Sequence, residues 1–113
     1  MGIVLVVGES AFDVELAVRA IASADRRRAL ELLAGGEAPS GAIAEACGWS
    51  APAASQQLRV LREAGLVDVR VAGNRRLYRA RRESLRELQA FLDGFWSERL
   101  GLLAAALERE DET

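Results

Sequence analysis

Apolar positions between Ser50 and Gly65 recur at helical spacing. Ala54, Leu58 and Leu61 follow the i, i+4, i+7 rule of one buried stripe, while Gln56 and Arg59 fall on the opposite side with Ser55, Gln57 and Arg62 on its flanks. Ser50 is suited to cap this helix, Pro52 fits its first turn, and Gly65 is placed to end it in a left-handed conformation. The period then changes from 3.6 to two. Val67, Val69 and Val71 alternate with Asp68 and Arg70, which predicts a strand over Leu66 to Val71. Ala72-Gly73-Asn74-Arg75 supplies turn residues, and Arg76 to Ala80 reads as the returning strand.

Three helices are predicted upstream. Ser10-Ala-Phe-Asp13 resembles a capping box with Asp in the place of Glu and opens a helix to about Ile21 that is apolar on more than one side. Ser23 caps a second helix ending near Ala34 at Gly35-Gly36. Arg26, Arg27 and Arg28 sit in its first turn, the wrong end for the helix dipole, as a solvated cluster or as phosphate contacts. Ser40 caps a third helix through about Cys47, with Ile43, Ala44 and Cys47 facing inward, and Gly48-Trp49 makes the tight turn into the Ser50 helix. After the hairpin, a helix from Glu83 or Ser84 to about Glu108 would run about 38 Å. Its stripe of Leu85, Leu88, Leu92, Phe95, Trp96, Leu100, Leu103 and Leu107 is more apolar face than one small domain can cover. Arg99 projects close to that stripe and, if buried, needs a carboxylate partner. The expected fold is mainly α with a β-hairpin wing: a winged helix-turn-helix with five helices, the hairpin lying between the fourth and the fifth.

With 113 residues the chain is expected to be a single domain, residues 1–113. Residues 1–9 are an apolar extension, 10–22 and 83–108 dimerisation helices, 39–82 the DNA-reading unit and 109–113 a frayed tail. No run approaches the roughly 20 apolar residues of a membrane span, and Ile3 to Val7 lacks the basic flank of a signal peptide. One cysteine excludes an internal disulfide and fits a reducing cytoplasm. The net charge of −2 is unevenly spread. Residues 49–82 hold eight arginines and two acids, +6, against −3 before them and −5 after. Positive charge is concentrated on the helix and hairpin, where a nucleic acid would meet it.

The segments SADRRRALELL (23–33), APSGAIAEACGWSAPAASQQLRVLREAGLV (38–67) and GNRRLYRA (73–80) resemble the ArsR family of small bacterial winged-helix repressors. The likeness covers roughly residues 12–100. It implies a homodimer, paired through the first and last helices, that represses its own operon and releases DNA on sensing a signal. Family members that sense metals use paired cysteines on the third helix, or Asp and His pairs on the last. Here Gly41, Ala42 and Ile43 stand where the thiolates would cluster, there is no histidine, and the last helix offers only carboxylates, poor ligands for thiophilic metals. The resemblance is therefore to a non-metal-sensing type, with no metal and no cofactor expected. Members with a similar FW..RL ending, here Phe95 to Leu100, are often not metal sensors.

Gln reads adenine edges, and Arg reads guanine or holds phosphate. Ser50, Ser55, Gln56, Gln57, Arg59 and Arg62 on the helix, with Asn74, Arg75 and Arg76 on the wing, are the candidate DNA contacts. Arg79 is an electrostatic anchor and Tyr78 packs the wing on the core. Phe12, Leu16, Leu88, Leu92, Phe95, Trp96, Leu100 and Leu103 are the candidate dimer interface. Cys47 reads as a buried structural thiol. Without a histidine base, a metal cluster or a glycine-rich phosphate cradle, an enzyme is not expected. The expected partners are operator DNA and a second copy of the chain, with no membrane and with an effector left open. The rival reading is a dimeric winged-helix interaction module without operator binding, supported by the acidic balance and by the small Ala53 and Ala54.

Overall fold

The computed structural model describes the backbone of residues 4–7 and 11–111, with side chains over residues 11–111. The order is β1 (Val4–Val7), α1 (Val14–Ile21), α2 (Ala24–Ala34), α3 (Ser40–Cys47), α4 (Ala51–Glu63), β2 (Val67–Ala72), β3 (Arg75–Ala80) and α5 (Arg82–Asp111). This is a winged helix-turn-helix.

Side chains that satisfy unpaired backbone groups decide where the helices begin. Asp13 Oδ1 accepts from the amides of Glu15 (3.0 Å) and Leu16 (3.1 Å), so α1 starts at Val14, later than expected. Ser10 lies outside the described residues. Ser23 Oγ caps α2 by accepting from Arg26 N at 3.3 Å, as expected. At α3 the expectation fails. Pro39, extended at φ −74°, is the N-cap and Ser40 is already helical, because Ala38 pairs with Tyr78 of β3 through both backbone bonds and turns the chain one residue early.

α4 ends in a full Schellman motif. Leu66 N donates to Leu61 O (3.0 Å) and Gly65 N to Arg62 O (2.9 Å), with Gly65 at φ +76°. Leu61 and Leu66 meet inside, both fully buried. The segment leading into α1 crosses directly over this turn, and Asp13 N donates to Ala64 O at 3.2 Å.

The apolar stripes of α1 to α4 converge on one core of Ala17, Ala20, Leu30, Leu33, Ile43, Leu58, Leu61, Leu66 and Val67, closed at one end by Leu88 of α5. Full burial of a leucine is worth roughly 1.5–3 kcal/mol. The sheet is antiparallel in the order β1-β2-β3, with Val4 opposite Ala72 and Val7 opposite Val69. The apolar extension thus contributes a third wing strand, where a two-stranded hairpin was expected. α5 is longer than expected, continuing through residues 109–111 that were assigned to a frayed tail. Its 30 residues give a length of about 45 Å. It leans on α1 over its first turns and then projects, so the radius of gyration is 17.9 Å. A compact chain of this length would have about 13 Å.

Candidate nucleic-acid interface

α3 and α4 are joined by a turn that the sequence specifies closely. Gly48 takes φ +70°, Trp49 N donates to Ala44 O at 2.8 Å, and Ser50 Oγ accepts from Ala53 N at 3.2 Å to open α4. Ser50 is exposed, and its hydroxyl oxygen is engaged in that cap. Ala54, Leu58 and Leu61 bury one side of α4; Ser55, Gln56 and Arg59 are exposed on the other. Ser55 lines a small cleft with Ser40, Ala44, Ala51 and Tyr78, which brings the start of α4 beside the wing strand β3. Arg59 is held by Glu63, four residues on, at 3.0 Å and largely in water, a pairing weak enough for a phosphate or base to displace. Arg62 is half-buried, at the border between this face and the core.

Gln57 does not join that face. It is half-buried, and its Oε1 accepts from Arg26 Nη1 at 2.9 Å. At this angle on α4 the side chain leans toward α2, unlike the open side chains of Ser55, Gln56 and Arg59. Arg26 and Arg27 turn back onto the last carbonyls of α1 rather than standing free in solvent. A signal for this was present, since cations just past a helix C-terminus commonly bind its orphan carbonyls.

On the wing, Gly73 (φ +62°) and Asn74 make a two-residue turn with positive φ at the first position only, the pattern of a type II′ hairpin. Asn74, Arg75 and Arg76 are exposed at the tip, and neither arginine forms an ion pair among the described residues. The arginines at the wing base are committed elsewhere. Arg70 pairs with Glu37 at 2.6 Å, and the buried Asp68 is bracketed by Arg79 (3.3 Å) and Arg81 (3.5 Å). Arg79 is therefore a structural tie across β2 and β3 as well as a charge. Tyr78 packs against the core as expected.

The candidate interface residues divide. Leu88 is 4% exposed and belongs to the protomer's own core, which corrects its assignment to a dimer seam; Phe12 and Leu92 are half-buried against that core. Leu16, Phe95, Trp96, Leu100 and Leu103 remain 39–57% exposed. Phe91, not singled out from the sequence, joins them and stacks on Phe95 at 5.7 Å, with Trp96 edge-on to Phe95 at 5.2 Å. Arg99 is exposed and lies over the Phe95 ring at 5.0 Å, a cation–π contact in place of the carboxylate a buried arginine would need. Cys47 is buried, and desolvation raises its thiol pKa above the ordinary value, which disfavours the reactive thiolate.

A helix-turn-helix domain family matches residues 21–70, from the end of α1 to β2. The HTH-type transcriptional regulator Rv2034 of Mycobacterium tuberculosis is 38% identical over 83% of this chain and 88% of its own length. A second M. tuberculosis regulator, Rv0324, is also 38% identical over 78% of this chain, which spans 39% of that longer protein. Among solved structures, a possible transcriptional regulator for arsenical resistance superposes with a TM-score of 0.67 at 41% identity, covering 78% of this chain and 92% of that one. The homodimeric winged helix-turn-helix DNA-binding domain of a possible ArsR-family regulator from Mycobacterium bovis gives 0.62 at 37% identity, over 77% of this chain and 81% of that one.

Proposed function

The chain belongs to the ArsR family of winged helix-turn-helix transcriptional regulators, DNA-binding proteins rather than enzymes, and on that premise we propose that it is a homodimeric repressor released by a signal other than a metal ion. The observation that carries the reading is the exposed face of α4, with Ser55, Gln56 and Arg59, beside a wing whose tip presents Asn74 and two arginines without acidic partners among the described residues. Each protomer sets α4 into a major groove, with half-sites about 10–10.5 bp apart or a multiple of that. The wing tip reaches the flanking phosphates or the minor groove. Arg62 contributes charge from the border of this face. A regulator of this kind works beside the chromosome, in the cytoplasm; among the described residues no helix is long and apolar enough to cross a membrane.

The proposed dimer uses the projecting part of α5. Its arc of Phe91, Phe95, Trp96, Leu100 and Leu103 is half exposed in one protomer, and a second copy related by a two-fold axis would cover it; the M. bovis relative is itself homodimeric. Trp96→Arg is expected to convert a two-chain particle to one chain at micromolar concentration by light scattering, with the helical content of residues 11–92 retained. A particle that stays dimeric would remove Trp96 from the seam. Release by a non-metal signal is supported by ligand chemistry: the chain has one cysteine and no histidine.

The experiment is fluorescence anisotropy on a duplex from the protein's own upstream region, against a scrambled duplex, across a salt series without added metal. Tight, selective, steeply salt-dependent binding is expected. No selectivity at any salt would reject operator binding and leave a dimeric interaction module. Gln56→Ala is expected to relax the preference at one base pair by about 1–3 kcal/mol while leaving the salt dependence unchanged. An unaltered preference would show that Gln56 reads no base.

A further inference from the structure

The C-terminus of α1 is closed by side chains from the start of α2. Arg26 Nε donates to Ala20 O at 2.8 Å and Nη2 to Arg19 O at 3.3 Å, while Arg27 Nη1 donates to Ile21 O at 2.6 Å. Arg19 O and Ala20 O also take long backbone bonds from Ala22 N (3.3 Å) and Ser23 N (3.4 Å), but all three carbonyls lie in the last turn of α1, at the negative end of the helix dipole, so a guanidinium is well suited to them. The remaining arm of Arg26 reaches 31 residues along the chain, where Nη1 donates to Gln57 Oε1 at 2.9 Å. One planar group thus joins α1, α2 and α4. Its donors lie in a fixed fork, so the place of the Gln57 carbonyl is set relative to the end of α1.

The buried stripe of α4, Ala54, Leu58 and Leu61, makes contacts that fix its depth but are non-directional, and the Asp13 N to Ala64 O bond holds its C-terminal end. A hydrogen bond to a side chain on its flank resists rotation about the helix axis. Rotation matters here: turning a helix by about 10° moves a side-chain tip roughly 6 Å from its axis by about 1 Å. That is enough to break a bidentate contact with a base edge.

We propose that Arg26 is a positioning residue for the DNA-reading helix, setting the rotation of α4 through Gln57 and tying it to α1. The inference rests on the reading of α4 as the helix that meets DNA. Base-specific binding depends on this link; binding to phosphate alone does not. Selectivity, the ratio of operator to scrambled affinity, is therefore the quantity that responds.

The test is a double-mutant cycle read as selectivity by anisotropy, with the thermal midpoint measured for every variant. Arg26→Ala and Gln57→Leu should each lower selectivity by about tenfold, and the double variant should be no worse than either alone. Gln57→Leu leaves the α1 carbonyl bonds intact, so it remains informative even if Arg26→Ala fails to fold. Arg26→Lys should also lose selectivity, and adding Gln57→Glu to it should recover at least about threefold by supplying an ion pair. A side chain serving DNA directly would behave oppositely, since a new carboxylate would repel phosphate. Unchanged selectivity in Gln57→Leu, additive losses in the cycle, or further loss on adding Gln57→Glu would each overturn the proposal. A wild-type protein that fails to prefer its operator would instead reject the DNA reading beneath it, before any variant is compared.

Discussion

Gly65→Ala is expected to be the most damaging single substitution, lowering stability by about 3 kcal/mol or more and the thermal midpoint by about 10–20 °C at fixed protein concentration. Two independent causes meet at this residue. Its φ of +76° is left-handed, which costs a residue with a Cβ about 1–2 kcal/mol. The added Cβ would also lie 2.6 Å from Phe12 Cα and 2.7 Å from Ala11 O. Both are backbone atoms that cannot swing aside, so the strand of chain leading into α1 must lift. That movement breaks the Asp13 N to Ala64 O bond of 3.2 Å and shifts the residue that caps α1. Gly73→Ala is the internal control, having a similar φ of +62° but nothing within 4 Å of its Cβ. Thermal melts of the two variants separate conformational strain from close approach. Equal losses at the two sites would mean that the crossing of residues 11–12 over the α4 turn contributes nothing.

The second large effect is expected on binding. Replacing Arg75 and Arg76 together with Ala should weaken operator and scrambled duplexes alike, by about 10- to 100-fold near physiological salt. The slope of log K against log salt should flatten by about 1.8, the loss of two phosphate contacts at roughly 0.9 each. Both side chains are exposed and neither forms an ion pair among the described residues, so their loss should leave the thermal midpoint nearly unchanged. Anisotropy across a salt series reads both quantities. An unchanged slope would take the wing tip away from the phosphates. Arg79 makes an instructive contrast, because its bond to buried Asp68 makes it a support of the wing as well as a charge.

Local chemistry made much of this fold legible. The stripe of Ala54, Leu58 and Leu61, the Ser23 and Ser50 caps, and the glycines at 48, 65 and 73 each act over a few residues, where propensity and backbone geometry are decided. The resemblance in residues 23–33, 38–67 and 73–80 then supplied the family. The misreadings came where a distant segment intervened. Pro39 displaced Ser40 as a cap because Ala38 is bonded to Tyr78, forty residues on. Residues 4–7 become a strand only because β2 offers an open edge.

The candidate site divides in the same way. Sequence determined the composition of the proposed DNA-reading face and the concentration of positive charge between residues 49 and 82. It could not sort the arginines by use, because every guanidinium reads alike until its partner is known. Tertiary structure committed Arg70 to Glu37, Arg79 and Arg81 to Asp68, and Arg26 to α1 and Gln57, while leaving Arg75 and Arg76 exposed at the wing tip. It also placed Leu88 in the protomer core and left Trp96 outside it, although both lie in one unbroken apolar stripe. Periodicity marks the face of a helix that must be covered. Which neighbour covers each turn depends on where the rest of the chain ends in space.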